Sequence, residues 1–218
     1  MFELRNLDVG YMKNLLISRA NIIFQGGHVY SISGDNGIGK TTLMKTLVGF
    51  IKPINGVISL EKESISDWSL QDLSRHFSVL FSRHDIDSSI KVNEIFDFSF
   101  GNIENKIDLK KMSEQFFEYF SINYLMEKPF GVLSDGQKQL ILLARSLIKP
   151  ANIYLLDEPT IYLDIKTKKK LVTFIRDHLI DSNKVVVLIS HDADFVSSVS
   201  DVLLEIKNGT LNHVEKNR

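Results

Sequence analysis

The stretch Gly34-Asp35-Asn36-Gly37-Ile38-Gly39-Lys40-Thr41-Thr42 packs three glycines into six residues, then sets one lysine and two threonines at the start of a helical run. Glycines at this spacing let the chain turn so that successive backbone N–H groups converge on one anion, and a helix that begins there adds its positive end. Gly34-x-x-x-x-Gly39-Lys40-Thr41 fits the phosphate-binding loop pattern. In that pattern the lysine reaches the β- and γ-phosphates of a nucleotide and the Thr41 hydroxyl ligates Mg²⁺. A glycine-rich turn with a chance lysine is the plainer alternative, and four fixed positions between a strand and a helix weigh against it.

A second group with matching chemistry lies far along the chain. "IYLLDEP" sets Asp157 and Glu158 at the carboxyl end of an apolar run, the edge of an open α/β sheet where ligands bind. There Asp157 can hold Mg²⁺, directly or through water, and Glu158 can polarise a water for attack on the γ-phosphate. A strand that merely ends in acids is common, but beside a phosphate loop the pair has a use.

These residues need strands to deliver them and helices to cover the strands. Phe2 to Gly10 and Leu15 to Phe24 alternate apolar and polar residues, with a turn near Met12 to Asn14, and predict two antiparallel strands. "HVYSIS", His28 to Ser33, runs into the glycine loop, and Lys40 to Gly49 follows as a helix. Val57 to Leu60, Phe77 to Phe81, Asn152 to Pro159 and the "VVVLIS" run predict further strands; Val202 to Ile206 and Leu211 to Val214 close as a hairpin. Between them, Lys91 to Tyr124 has helical spacing, and Leu140, Leu143, Ala144 and Leu147 mark a strong helix after Ser134. Leu171, Phe174, Ile175 and Leu179 form another helical stripe. The fold class that follows is α/β: a phosphate-loop NTPase core with a mainly parallel sheet, an antiparallel β part at the N-terminus and an inserted helical subdomain. One domain is expected over residues 1–218, with 1–82 and 148–218 as the core and about 83–147 as the helical subdomain.

Composition narrows the partners. The 26 basic and 27 acidic residues nearly cancel, so no nucleic acid is expected. The lysine-rich "KTKKK" at Lys166 to Lys170 reads as a solvated helix face. With no cysteine there is neither a disulfide framework nor a thiolate metal site. No apolar run approaches the roughly 20 residues of a membrane span, and the start does not read as a signal peptide. A cytoplasmic chain, peripheral on a membrane, is the expectation.

"LSDGQKQLILLARSL", Leu133 to Leu147, resembles the signature motif of ABC-type ATPases, whose usual form is L-S-G-G-Q. Leu133, Ser134, Gly136 and Gln137 match, while Asp135 replaces the first glycine. Ser134 at a helix start binds an anion or serves as an ordinary N-cap. The resemblance spans essentially the whole chain and implies ATP and Mg²⁺ as ligands, hydrolysis to ADP and phosphate, and a head-to-tail homodimer, or a pair with a similar subunit, holding two ATP molecules. It implies that Ser134 to Gln137 meet the γ-phosphate held by the other subunit, that Asp164 in "TIYLD" works across that interface, and that His191 contacts the γ-phosphate. Tyr11 falls where the family stacks an aromatic on adenine; an exposed strand-end tyrosine is the other reading. Ser82, followed by Arg83 and His84, stands where the family has a glutamine that touches Mg²⁺. Glu158, His191 and Lys40 are thus the catalytic candidates, and Thr41, Asp157 and Ser82 the metal candidates.

The resemblance also implies transmembrane permease subunits on separate chains. The stretch around "EKPFGVLSDGQ" is similar to importers of iron-siderophore, haem or cobalamin type, against an export-type subunit or a soluble assembly ATPase of iron–sulfur type as alternatives. The phenylalanines Phe96, Phe98, Phe100, Phe116, Phe117 and Phe120 are either a docking groove for a membrane partner's helix or the core of the helical insertion.

Overall fold

A computed structural model of the chain describes residues 1–12, 14–82, 85–100, 106–180 and 183–214; Lys13, Arg83 and His84 lie outside these. Two sheets carry the fold. The first is antiparallel, β1 (Phe2–Tyr11) pairing with β2 (Asn14–Phe24) on one side and β4 (Asn55–Leu60) on the other, with the short β5 (Glu63–Ser64) beyond. The second has the order β10-β9-β3-β8-β7-β6, made of β3 (His28–Ser33), β6 (Phe77–Leu80), β7 (Ile153–Asp157), β8 (Val185–Ile189), β9 (Val202–Lys207) and β10 (Thr210–Val214). All its pairs are parallel except the β9–β10 edge hairpin.

Helices fill the spaces that the sheets create: α1 (Lys40–Leu47), α2 (Leu70–His76), α3 (Val92–Phe100), α4 (Lys106–Phe120), α5 (Asp135–Ile148), α6 (Ile165–Ile175) and α7 (Ala193–Val199). Successive strand residues face opposite sides, and this divides the core in two. Ile153, Leu155, Val185 and Val187 point to a cluster shared with Phe2, Phe24, Leu43 and Leu47, between the two sheets and α1. Tyr154, Leu156, Val186 and Leu188 point the other way, to a cluster shared with Phe96, Phe116, Leu143 and Phe174 of the helical side. Covered on both faces, β7 and β8 are apolar throughout apart from Asp157 and buried at every position.

Helices α2, α5, α6 and α7 start where side chains satisfy their free N–H groups, whereas α1 follows Gly39 with no side-chain cap. Ser134 accepts from Gln137 N at 3.3 Å while the Gln137 side chain accepts from Ser134 N at 3.0 Å, a reciprocal cap for α5. Asp164 caps α6 and Asp192 caps α7. The stripe Leu171, Phe174, Ile175 and Leu179 is buried as its spacing predicts, although the chain widens into a π-helical turn over Arg176–Ile180. There Arg176 binds both Asp201 oxygens at 2.9 and 3.0 Å and so fastens α6 to the start of β9.

Sheet order explains how distant motifs meet. Strands β6, β7, β8 and β3 lie side by side and run in parallel, so their carboxyl ends present Ser82, Asp157 with Glu158, His191 and the glycine loop along one edge.

Candidate functional site

Gly34 follows β3 with φ 146°, and a Cβ there would lie 2.8 Å from the Ile206 carbonyl of β9. Only glycine fits both the dihedral and the space. The loop then closes on itself: the buried Lys40 side chain returns over it, Nζ donating to Gly34 O at 2.6 Å and Asp35 O at 3.0 Å. The first turn of α1 contains no acid to neutralise its positive end.

Asp157, 3% exposed at the end of β7, draws two hydroxyls to one oxygen. Thr41 Oγ1 donates to its Oδ2 at 3.2 Å and Ser82 Oγ at 3.3 Å. Two hydroxyls and a carboxylate, beside a loop shaped for phosphate, are the hard oxygen donors that Mg²⁺ takes together with substrate phosphates. The residues therefore fit that metal.

Glu158, next in sequence, has a left-handed backbone, φ 54°. Its amide donates to Ile189 O of β8 at 2.8 Å, and its carboxylate Oε2 accepts from the His191 amide at 3.4 Å. The His191 ring, mostly exposed, has Nε2 at 3.5 Å from Glu158 Oε1. Burial raises the pKa of Glu158; the hydrogen bond from the His191 amide opposes that rise and the neighbouring Asp157 charge adds to it. A carboxyl so placed holds a proton more readily than an exposed one and faces an open cavity of about 810 Å³ that Lys40, Thr41, Ser82, Asp157 and His191 also line. Asn36, Gly37, Gly39 and Thr42 of the glycine loop and the start of α1 also line this cavity.

The structure thus gathers the loop, both acids, Ser82 and His191. Other expected residues stand apart within one chain. Tyr11, at the end of β1, is half exposed and does not line the cavity. Ser134, Asp135, Gly136, Gln137 and Asp164 do not line it either. Ser134 is engaged as an N-cap, Asp135 is exposed with Lys138 at 3.9 Å, and Asp164 accepts from Thr167 N at 2.7 Å, a bond that lowers its pKa. None of these five lines this chain's own cavity, whereas Tyr162 and Leu163, just before Asp164, do.

Two features were not visible in the sequence reading. Lys168, taken as part of a solvated face, lines the cavity and binds Asp192 at 2.6 Å beside His191; its neighbour Lys170 donates to Tyr119 O at 2.7 Å. Gln139 sits on the buried side of α5 and donates to the carbonyls of Glu158 and Pro159. The available signal was position: residue 139 falls on the same helical stripe as Leu143 and Leu147, where an amide must find partners. Among the phenylalanines, Phe96, Phe100, Phe116, Phe117 and Phe120 are core, and Phe98 alone of that set is exposed, at 80%.

Comparison with known proteins gives a consistent picture. Residues 17–161 match the ABC transporter family. Over 215 residues the chain is 30% identical to an uncharacterized ABC transporter ATP-binding protein of Methanocaldococcus jannaschii, covering 95% of this chain and 73% of the relative. It is 24% identical to the iron(3+)-hydroxamate import ATP-binding protein of Bacillus subtilis, over 94% of this chain and 78% of that one. A solved dimeric ATP-binding cassette in a post-hydrolysis state with ADP and phosphate superimposes with a TM-score of 0.84 at 21% identity, covering 100% of this chain and 99% of that one.

Proposed function

This chain belongs to the ABC transporter family as an ATPase subunit, and from that membership we propose that it binds and hydrolyses ATP for a transporter whose membrane-spanning subunits are separate polypeptides. The convergence of Lys40, Thr41, Asp157, Glu158 and His191 on one cavity is the observation that carries the reading. Lys40, held to Gly34 O and Asp35 O, reaches the β- and γ-phosphates, while the N–H groups of Gly34 to Thr42 cradle them. Thr41, Asp157 and Ser82 would hold Mg²⁺, which would supply charge neutralisation for the phosphates. Glu158 orients a water and accepts its proton as the water oxygen bonds to the γ-phosphorus and the bond from that phosphorus to the departing ADP oxygen breaks, the raised pKa bringing its basicity nearer to that task. His191, anchored through its amide to Glu158, donates from its ring to the γ-phosphate.

The signature residues Ser134 to Gln137, together with Asp164, face the ATP of a second subunit in a head-to-tail pair. Their displacement from this chain's own cavity supports that arrangement. Tyr11 stacks on adenine. Residues 1–82 and 148–218 act as the core and about 83–147 as the helical subdomain.

Among the described residues no helix is long and apolar enough to cross a membrane, which agrees with a separate permease and a site at the cytoplasmic membrane face. A groove of about 1270 Å³ between the core and α3–α5 supports docking of the permease there: Phe50, Leu70 and Phe98 stand exposed around it. Similarity to the hydroxamate importer and the sequence around the signature favour import of an iron chelate.

The test is Mg-ATP turnover by the purified chain and by Glu158→Gln over a range of protein concentration. A rate per chain that rises with concentration and disappears in the variant supports the reading. Parental turnover in Glu158→Gln removes Glu158 as the base.

A further inference from the structure

Helix α5 meets the loop of Glu158 at two points one turn apart. At the first, a Cβ on Gly136 would lie 2.9 Å from the carbonyl oxygen of Tyr162, so the helix backbone abuts the loop with no room for a side chain. At the second, Gln139 Nε2 donates to Pro159 O at 3.0 Å and to Glu158 O at 3.3 Å. Gln139 is 5% exposed, and its neighbours on α5, Leu142, Leu143 and Ile141, are apolar and buried.

The second contact matters because of the backbone it holds. Glu158 has a side chain and yet φ 54°, a conformation that persists where the surroundings over-determine it. The amide side of the residue is fixed by β8 through Ile189 O. The carbonyl side is held by Gln139 at 3.3 Å and by the Ile161 amide at 3.4 Å, and the next carbonyl, of Pro159, by Gln139 at 3.0 Å. With both peptide groups held, the carboxylate reaches the His191 amide and the cavity.

We propose that Gln139 is a positioning residue for ATP hydrolysis, holding the Glu158–Pro159 backbone so that the Glu158 carboxylate is aimed at the attacking water. The inference rests on the reading of Glu158 as the base. Because Gln139 lies two residues beyond the signature stretch, the same bond also fixes the register between the start of α5 and this chain's own catalytic loop. A 1 Å displacement of a reacting group is enough to lose much of its rate contribution while leaving substrate binding intact. A purely structural glutamine would affect folding without separating binding from turnover.

Three variants of the full chain decide the matter. Gln139→Met keeps the length and bulk but has no donor; Gln139→His returns a ring N–H close to the lost amide. Expected for Gln139→Met are a thermal midpoint near the parental one, ADP affinity and KM for ATP within about twofold, and kcat lowered about tenfold or more. Gln139→His should recover kcat to within about threefold of the parent. A Gln139→Met kcat within twofold of the parent overturns the proposal, and so does a fall in kcat matched by an equal rise in KM. If Gln139→Met lacks a cooperative thermal transition, the polar Gln139→Asn, one methylene shorter, is judged by the same criteria. Glu158→Gln is run in parallel: a dead Glu158→Gln beside a fully active Gln139→Met overturns this inference alone, whereas an active Glu158→Gln overturns it together with the assignment of the base.

Discussion

Lys40 and Gly136 show how much a single residue decides. Lys40 makes two charge-assisted bonds to its own loop, and bonds of that class to phosphate are each worth about 1.5–3 kcal/mol. Lys40→Ala is therefore expected to weaken ATP binding at least about tenfold, read by calorimetric titration. Gly136 and Asp135 are neighbours in the signature stretch but differ in what surrounds them. The Gly136 Cβ site is occupied by the Tyr162 carbonyl, while Asp135 faces solvent. Gly136→Ala should cost about 1–3 kcal/mol of stability through overpacking, and Asp135→Ala should stay within about 0.5 kcal/mol; chemical denaturation separates them. This contrast accounts for an aspartate standing where the family has its first glycine, while the second glycine is retained.

At the scale of elements, the packing of α6 carries a clear expectation. Phe174 lies 4.9 Å from the Phe116 ring and 6.0 Å from the Phe120 ring of α4, and is 3% exposed. Phe174→Ala is expected to cost about 3–5 kcal/mol, seen as a lower urea midpoint with an unchanged slope. The stripe containing Phe174 was legible from spacing alone, as were β3, α1, β7 and β8, because each has a local apolar period or a glycine loop to announce it. What stayed hidden depends on contacts between distant segments. Nothing local tells that β4 would join β1 in a separate antiparallel sheet, that Lys168 would turn inward to Asp192, or that Gln139 would serve Glu158 from 19 positions away. The left-handed backbone at Glu158 is equally non-local, since β8 and α5 impose it. Motif residues were found because their chemistry is written in adjacent positions; their supports were missed because those come from other elements.

For the molecule as a whole, the order of the parallel strands is the feature that turns separated motifs into one site, and the proposed docking groove lies apart from that site on the helical side. Phe98, exposed on α3, belongs to that groove and to no part of the ATP cavity. Phe98→Glu is expected to leave turnover of the isolated chain unchanged and to reduce co-purification with its membrane subunit; equal recovery of both proteins would argue against docking at the groove. The self-bonded Lys40 has a consequence for how nucleotide enters. Two of the three ammonium N–H donors are already committed to the Gly34 and Asp35 carbonyls, so a bound phosphate would share the lysine with its own loop. A triphosphate, whose further oxygens would reach the backbone N–H groups of the loop, is then expected to win Lys40 over inorganic phosphate, an order that competitive titration with each anion checks.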